Sequence, residues 1–126
     1  MTVYIAASGT GGHILPAVYV ALALQKMSPS TSIEFMGAGR PLEEKLIDSK
    51  GFVRKVVPIS GIAGLGVFGV LKFTLGVPRA IATLRAIFEQ NKPEVIIGIG
   101  GYVSVLPILY GWYIGIPTWI HEADIS

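Results

Sequence analysis

The chain has 126 residues, of which 52% are hydrophobic and only 14% charged, with ten basic and eight acidic side chains and no cysteine. A chain of this size is expected to form one domain and to bury roughly two-thirds of its unfolded surface, so it needs no metal or disulfide to fold. The composition excludes intrinsic disorder, a disulfide framework, a thiolate zinc site and a cysteine nucleophile, and a net charge of +2 from scattered basic residues argues against a nucleic-acid partner.

In chain order, residues 2–7 form an apolar, β-rich run that stops at a glycine cluster and predict a first buried strand. Residues 14–27 predict a long apolar helix, with Pro16 tolerated in its first turn. A second strand is expected over 32–36, ended by Gly37, Ala38 and Gly39. A short helix follows over 41–49, with Glu43, Glu44, Lys45 and Asp48 on its wet side. Gly51 then breaks the chain before a third strand over 52–58. Residues 60–76, interrupted by Gly61, Gly64, Gly66, Gly69 and Gly76, read as the least regular part. Pro78 opens a helix over 78–90 with Ile81, Leu84 and Phe88 on its core face. A fourth strand over 94–99, a helix over 103–113 and a fifth strand over 118–121 complete the pattern.

Residues 1–25, 56–71 and 95–121 lack Lys, Arg, Asp and Glu, and two of these stretches are long enough to cross a bilayer. Each is broken by glycine or proline, and the first four residues carry no basic charge of a secretory signal. Buried parallel strands and their covering helices account for them better. The expected fold is an α/β, doubly wound parallel sheet with right-handed crossovers, cytoplasmic and not membrane-spanning, whose ligands bind at the carboxyl ends of the strands.

Three motifs fall at those strand ends. Gly9-Thr10-Gly11-Gly12-His13 follows the first strand, where glycines admit a ligand close to the backbone and free N–H groups at the helix start favour an anion. It is not a dinucleotide fingerprint, because Ile14 stands where the third glycine belongs and no acid closes the second strand; this disfavours a nicotinamide-dependent oxidoreductase. The alternative is a turn that only lets strand and helix pack closely. At a helix start the dipole disfavours the imidazolium of His13, leaving a neutral ring able to accept a proton, whereas a bound phosphate pushes the other way; a simple capping role also stays open. Gly100, Gly101, Tyr102 and Ser104 repeat the glycine-loop logic after the fourth strand, and two such loops can grip a pyrophosphate from two sides. His121, Glu122 and Asp124 follow the fifth strand; three ligands so close in sequence rarely converge on a metal unaided, so a metal site is the weakest of three readings, behind groups that orient a sugar hydroxyl and a plain surface loop.

The run from Gly9 to Ala17 resembles the first glycine loop of the MurG family of bacterial cell-wall glycosyltransferases (glycosyltransferase family 28). Pro58-Ile59-Ser60-Gly61, Lys92-Pro93-Glu94, Gly100-Gly101-Tyr102-Val103-Ser104 and Gly115-Ile116-Pro117 with His121-Glu122 match the family in the same order. The resemblance implies a GT-B fold of two Rossmann-like domains, of which residues 1–126 form the N-terminal, acceptor-binding one, incomplete at Ser126 and lacking the C-terminal domain that binds UDP-N-acetylglucosamine. It implies transfer of N-acetylglucosamine to the lipid-linked acceptor lipid I to give lipid II, without a cofactor, so the chain alone should bind but not turn over.

By residue, it implies Thr10, Gly11 and Gly12 against the donor and the acceptor diphosphate, His13 as general base, Gly100, Gly101, Tyr102 and Ser104 as the second acceptor loop, and His121, Glu122 and Asp124 facing the transferred sugar, with Asp124 counted among the donor-side contacts. Asp124 departs from the family's asparagine, and an acid accepts hydrogen bonds without donating as an amide does. The family also binds the anionic inner face of the plasma membrane through an apolar patch, for which Leu65, Val67, Phe68, Leu71, Phe73, Leu75 and Trp112 are suited, with Lys72, Arg79 and Arg85 beside them. The competing expectation is a non-catalytic membrane subunit that recruits a separate donor-binding subunit; Ile14-Leu15-Pro16-Ala17 favours the bacterial enzyme.

Overall fold

A computed structural model describes residues 2–7, 11–37, 41–57, 66–99 and 105–121, with side chains described throughout these except at 11–13, 66–77, 105 and 121. Strands β1 (Thr2–Ala6), β2 (Ser32–Gly37), β3 (Val53–Val56), β4 (Val95–Ile99) and β5 (Thr118–His121) alternate with helices α1 (Gly11–Met27), α2 (Pro41–Leu46), α3 (Gly66–Gln90) and α4 (Val105–Tyr113). The strands form one sheet in the order β3-β2-β1-β4-β5, and every pairing is parallel. The chain thus builds outward from β1 through β2 to β3, then returns to β1's other edge and builds outward again. The expected doubly wound sheet is what forms.

Period-2 alternation divides the core between the two faces of the sheet. Val3, Ile5, Ile33 and Phe35 pack against Ile14, Ala17, Val18 and Ala21 of α1 and against Ile47 beyond α2. On the other face Tyr4, Ala6, Met36 and Ile96 meet Ala80, Leu84 and Phe88 of α3 and Ile108 of α4. The Phe88 ring stands edge-on to Tyr4 at 5.3 Å and to Tyr110 at 5.1 Å, joining β1, α3 and α4. The Tyr4 hydroxyl donates to the Asn91 carbonyl, and Asn91 Nδ2 donates to buried Glu34 at 2.5 Å. Burial, and then the charge of Glu34, push the Tyr4 phenol up to about 12. This cluster ties the end of α3 to the amino edge of the sheet.

Several boundaries differ from the sequence expectation. Gly11 and Gly12 open α1, so Pro16 lies in its second turn and withholds an N–H from the Gly12 carbonyl. The larger correction is α3. Residues 66–76, expected to be irregular, are helical, and one helix runs from Gly66 through Pro78 to Gln90. Glycine costs a helix only about 1 kcal/mol per residue, and a single proline removes one hydrogen bond, here to the Thr74 carbonyl, so an apolar segment can stay helical across both. On its core face Leu84 and Phe88 are buried as expected, but Ile81 is 39% exposed. The helix expected over 41–49 stops at Leu46 and gives way to a 3₁₀ turn (Asp48–Lys50), closed by Gly51 at φ 84°. Among the described residues, no helix is long and apolar enough to cross a membrane.

Gly111 lets α4 approach the sheet. A Cβ there would stand 2.3 Å from Ile96 Cδ1 and 3.5 Å from Thr118 Cγ2. Ile96 is fully buried, so its Cδ1 would have to shift within the core. Gly111→Ala is therefore expected to lower the unfolding free energy by about 1–3 kcal/mol through overpacking, read as a lower urea midpoint at unchanged m-value.

Candidate functional site

In a doubly wound sheet the crevice for a ligand opens where successive strands diverge, outside their carboxyl ends. Here that point lies between β1 and β4, which pair from Val3–Val95 to Ala6–Gly98. α1 starts at Gly11, just past the end of β1, and α4 starts at Val105, just past the end of β4. β5 lies on β4's other edge and ends with His121 opposite Ile99. The topology thus brings the connection after β1, the connection after β4 and the end of β5 to one end of three adjacent strands. These are the three segments that carry the sequence motifs.

Gly11, Gly12 and His13 are the first three residues of α1, and His121 is the last residue of β5. Thr10, Gly100, Gly101, Tyr102, Ser104, Glu122 and Asp124 lie outside the described residues. Among the described residues no cluster of three or more His, Cys, Asp or Glu is placed to hold a metal ion. Of the residues assigned to a membrane patch, Leu65 lies outside the described residues, and Phe68, Leu71, Lys72 and Phe73 are placed on the first half of α3. Arg79 is exposed, and Trp112 is 73% exposed.

The sequence expectation misplaced one acid. Glu43 is fully buried, not on the wet side of α2. Its Oε1 accepts from Arg54 Nη1 at 3.2 Å, while Arg54 Nε and Nη2 bind the two oxygens of Asp48 at 2.9 and 3.1 Å. Arg54, on β3, thus forks between a buried and an exposed carboxylate. Its hydrogen bond holds the Asp48 carboxyl below its ordinary value, and the same bond raises the Arg54 guanidinium. The Glu43 carboxylate lies against Gly37, the last residue of β2; a Cβ at Gly37 would fall 2.1 Å from Glu43 Oε1. The sequence held a signal for this. Leu46 and Ile47 follow Glu43 at i+3 and i+4, which puts Glu43 on the apolar face of α2. Sealed in this way, it is not a substitute for the exposed acid that holds a ribose at the end of a second strand.

A second feature lies between α3 and α4. Ile81, Leu106, Leu109, Tyr110 and Tyr113 line an open apolar groove of about 320 Å³. Leu109 (54% exposed) and Tyr113 (81%) stand on its rim, and Trp112 lies next to Tyr113 in the same helix.

The profile of the glycosyltransferase family 28 N-terminal domain matches residues 3–126. A UDP-N-acetylglucosamine–N-acetylmuramyl-(pentapeptide) pyrophosphoryl-undecaprenol N-acetylglucosamine transferase of Anaeromyxobacter sp. (strain Fw109-5) is 34% identical over 124 residues, 98% of this chain and 32% of that one. The protein of the same name from Salmonella enteritidis PT4 is 37% identical over 118 residues, 94% of this chain and 33% of its own length. This chain therefore spans about a third of the curated relatives it matches. The crystal structure of Acinetobacter baumannii MurG superposes with a TM-score of 0.73 at 30% identity, covering 96% of this chain and 35% of that one.

The Arg54–Asp48 bond gives the fold a defined acid response. Because the folded state holds the Asp48 carboxyl below its ordinary 3.8, the bond's contribution is present above that value and is lost as pH falls through the lowered one. Asp48→Asn is expected to lower the urea midpoint at pH 7 and to converge on the wild type as pH falls well below 3.8. A constant gap across that range would show that Asp48 stabilises the fold by something other than its charge.

Proposed function

The chain belongs to the glycosyltransferase family 28 N-terminal domain family, and from this we propose that it is the acceptor-binding domain of a transferase that moves N-acetylglucosamine from UDP-N-acetylglucosamine to undecaprenyl-pyrophosphoryl-N-acetylmuramyl-pentapeptide. The observation that carries the proposal is the convergence of three motif-bearing segments, after β1, after β4 and at the end of β5, on one end of the sheet. The curated relatives, named for this reaction, match nearly the whole chain. Their remaining length has room for a second domain that binds the donor.

In this reading Thr10, Gly11 and Gly12 bind the diphosphate at the start of α1, where backbone N–H groups favour an anion. Gly100, Gly101, Tyr102 and Ser104 form the loop opposite. His13 is the general base. In its neutral form it takes the proton of the acceptor's sugar hydroxyl as that oxygen attacks the anomeric carbon of the donor. The bond from the anomeric carbon to the UDP oxygen breaks, with inversion, and UDP leaves into the second domain. His121, Glu122 and Asp124 face the transferred sugar. The Asp124 carboxylate can accept hydrogen bonds from sugar hydroxyls but offers no amide N–H in return.

The same reading assigns α3 and α4 to the anionic cytoplasmic face of the plasma membrane. Support comes from the groove they form, from exposed Leu109, Trp112 and Tyr113, and from Arg79 and Arg85 on α3. Phe68, Leu71, Lys72 and Phe73 extend the assignment along the first half of α3, and Leu65 precedes it. An amphipathic surface of this kind binds through apolar burial plus attraction to anionic headgroups.

Two measurements test these assignments. Calorimetric titration with a soluble, short-chain prenyl-pyrophosphoryl-N-acetylmuramyl-pentapeptide is expected to give saturable binding, with no product formed on adding UDP-N-acetylglucosamine. Joined to a donor-binding domain, the wild type should turn over and His13→Ala should lose about 10²–10⁴-fold in rate. Failure to bind the acceptor, or preference for NAD, overturns the reading. Separately, Lys72→Glu with Arg79→Glu should weaken sedimentation with phosphatidylglycerol vesicles by at least about tenfold, since each basic residue near such a surface contributes about 1 kcal/mol. Unchanged sedimentation removes the membrane assignment and leaves the acceptor site standing.

A further inference from the structure

A buried carboxylate beside a glycine at a strand end needs a reason to be there. Glu43 reaches Gly37 from α2 and is held by Arg54 from β3. Gly37 in turn accepts a hydrogen bond at its carbonyl from the Val57 N–H at 2.8 Å, and its neighbour Met36 accepts one from the Ala7 N–H at 3.1 Å. Ala7 is the residue from which the chain leaves β1 for the first glycine loop. A continuous set of contacts thus runs from the Arg54 fork, through the Glu43 carboxylate and the end of β2, to the base of that loop. The φ of Gly37 is not positive, so glycine is not required there by backbone conformation. What excludes a side chain is the carboxylate itself.

We propose that Glu43 is a positioning residue for the acceptor site: clamped by Arg54, its carboxylate fixes the carboxyl end of β2 against Gly37 and so sets the height at which the first glycine loop leaves β1. The proposal rests on the reading of that loop as a diphosphate-binding element. Glu43 itself does not touch the ligand. A site that grips a diphosphate through backbone N–H groups depends on where its loop begins, and misplacement by an ångström far from the ligand can be felt at once. The effect of perturbing Glu43 is therefore expected in ligand affinity, beyond any change in stability.

The test uses the 126-residue chain and the soluble acceptor analogue, with circular dichroism and thermal melting run on each variant. Glu43→Gln keeps the shape of the side chain and removes its charge; Gly37→Ala keeps the charge and drives a methyl group into it. Each is expected to weaken binding by roughly tenfold or more in chain that is still folded at the assay temperature. The double variant should lose less than the product of the two, because both act through one contact. Glu43→Asp, which keeps the charge on a shorter arm, should fall between Glu43→Gln and the wild type. Folded variants with wild-type affinity and only a lower melting temperature overturn the positioning role. Should Gly37→Ala fail to fold, Arg54→Lys, which loses the fork between Glu43 and Asp48, takes its place, and wild-type affinity there overturns the proposal equally. A wild-type chain that does not bind the analogue overturns the acceptor reading first, and the positioning role with it.

Discussion

β1 is hydrogen-bonded along both edges, in register with β2 on one side and β4 on the other, and everything else in the molecule is arranged around that double pairing. Parallel strands must be joined by crossovers, so every connection from strand to helix emerges at the same end. With β1 central and the winding direction reversed across it, the first and fourth strands deliver their connections side by side. At the opposite, amino end of the sheet Tyr4, Asn91, Glu34 and Thr2 form a hydrogen-bonded network that has the aromatic edge of Phe88 packed behind it. That network ties the amino end together, and the carboxyl end receives the connections that follow β1 and β4. That division follows from the topology before any ligand is considered.

The three inner strands β1, β2 and β4 were legible in the sequence because they are buried on both faces and therefore read as short apolar runs cut off by glycine, proline or charge, whereas the edge strands β3 and β5, with Val53, Val56, Trp119 and Ile120 exposed, were marked by β-branched and aromatic residues between breakers. Thr118 to His121 was recovered without error and the others to within two residues at either end. Helix starts were harder. Gly11, Gly12, Gly66 and Gly69 are weak helix formers, and local propensity argued against a first turn at either place; packing of the helix that follows overrode it. The motif-bearing ends of β1, β4 and β5 were legible for a different reason. Glycine allows close backbone approach, and its clustering after β1 and β4 is visible in the sequence, as is the run of His121, Glu122 and Asp124 after β5. Glu43 was not found, although its i+3 and i+4 neighbours placed it on the apolar face, because the partner that makes its burial tolerable stands eleven residues away on β3. A buried charge becomes intelligible only together with its counterion, and the counterion is supplied by the tertiary fold.

An ion pair is a poor choice for stability at that position. Removing a carboxylate from water costs several kcal/mol, and a well-packed apolar replacement for such a pair is often neutral or better, whereas deleting one partner alone typically costs about 3–5 kcal/mol. An apolar residue at 43 would have satisfied the α2 core face beside Leu46 and Ile47. What it would lack is direction. The carboxylate is fixed by a guanidinium that is itself fixed by Asp48, and it meets the one residue in β2 that has no side chain to deflect it. On the proposed positioning role, such directed contacts fix the end of a strand more narrowly than dispersion contacts between flexible side chains do.

α4 is apolar all round, as is most of α1, where Leu15, Tyr19 and Leu22 are exposed. Pro107, Ile108 and Gly111 are buried against the sheet, while Leu109, Trp112 and Tyr113 face outward. A helix of that composition is expected in an interior or at an apolar boundary. The exposed face of the second half of α3, by contrast, carries Arg79, Arg85 and Glu89. α4 also begins directly after the second glycine loop and, at nine residues, is about 13 Å long. On the proposed reading, the loop that grips the acceptor's diphosphate and the surface that meets the bilayer are therefore two ends of one short rigid element. An acceptor whose diphosphate is tethered to a lipid must be reached close to the membrane plane, and a helix of this length, pinned to the sheet at Gly111, sets how close that is.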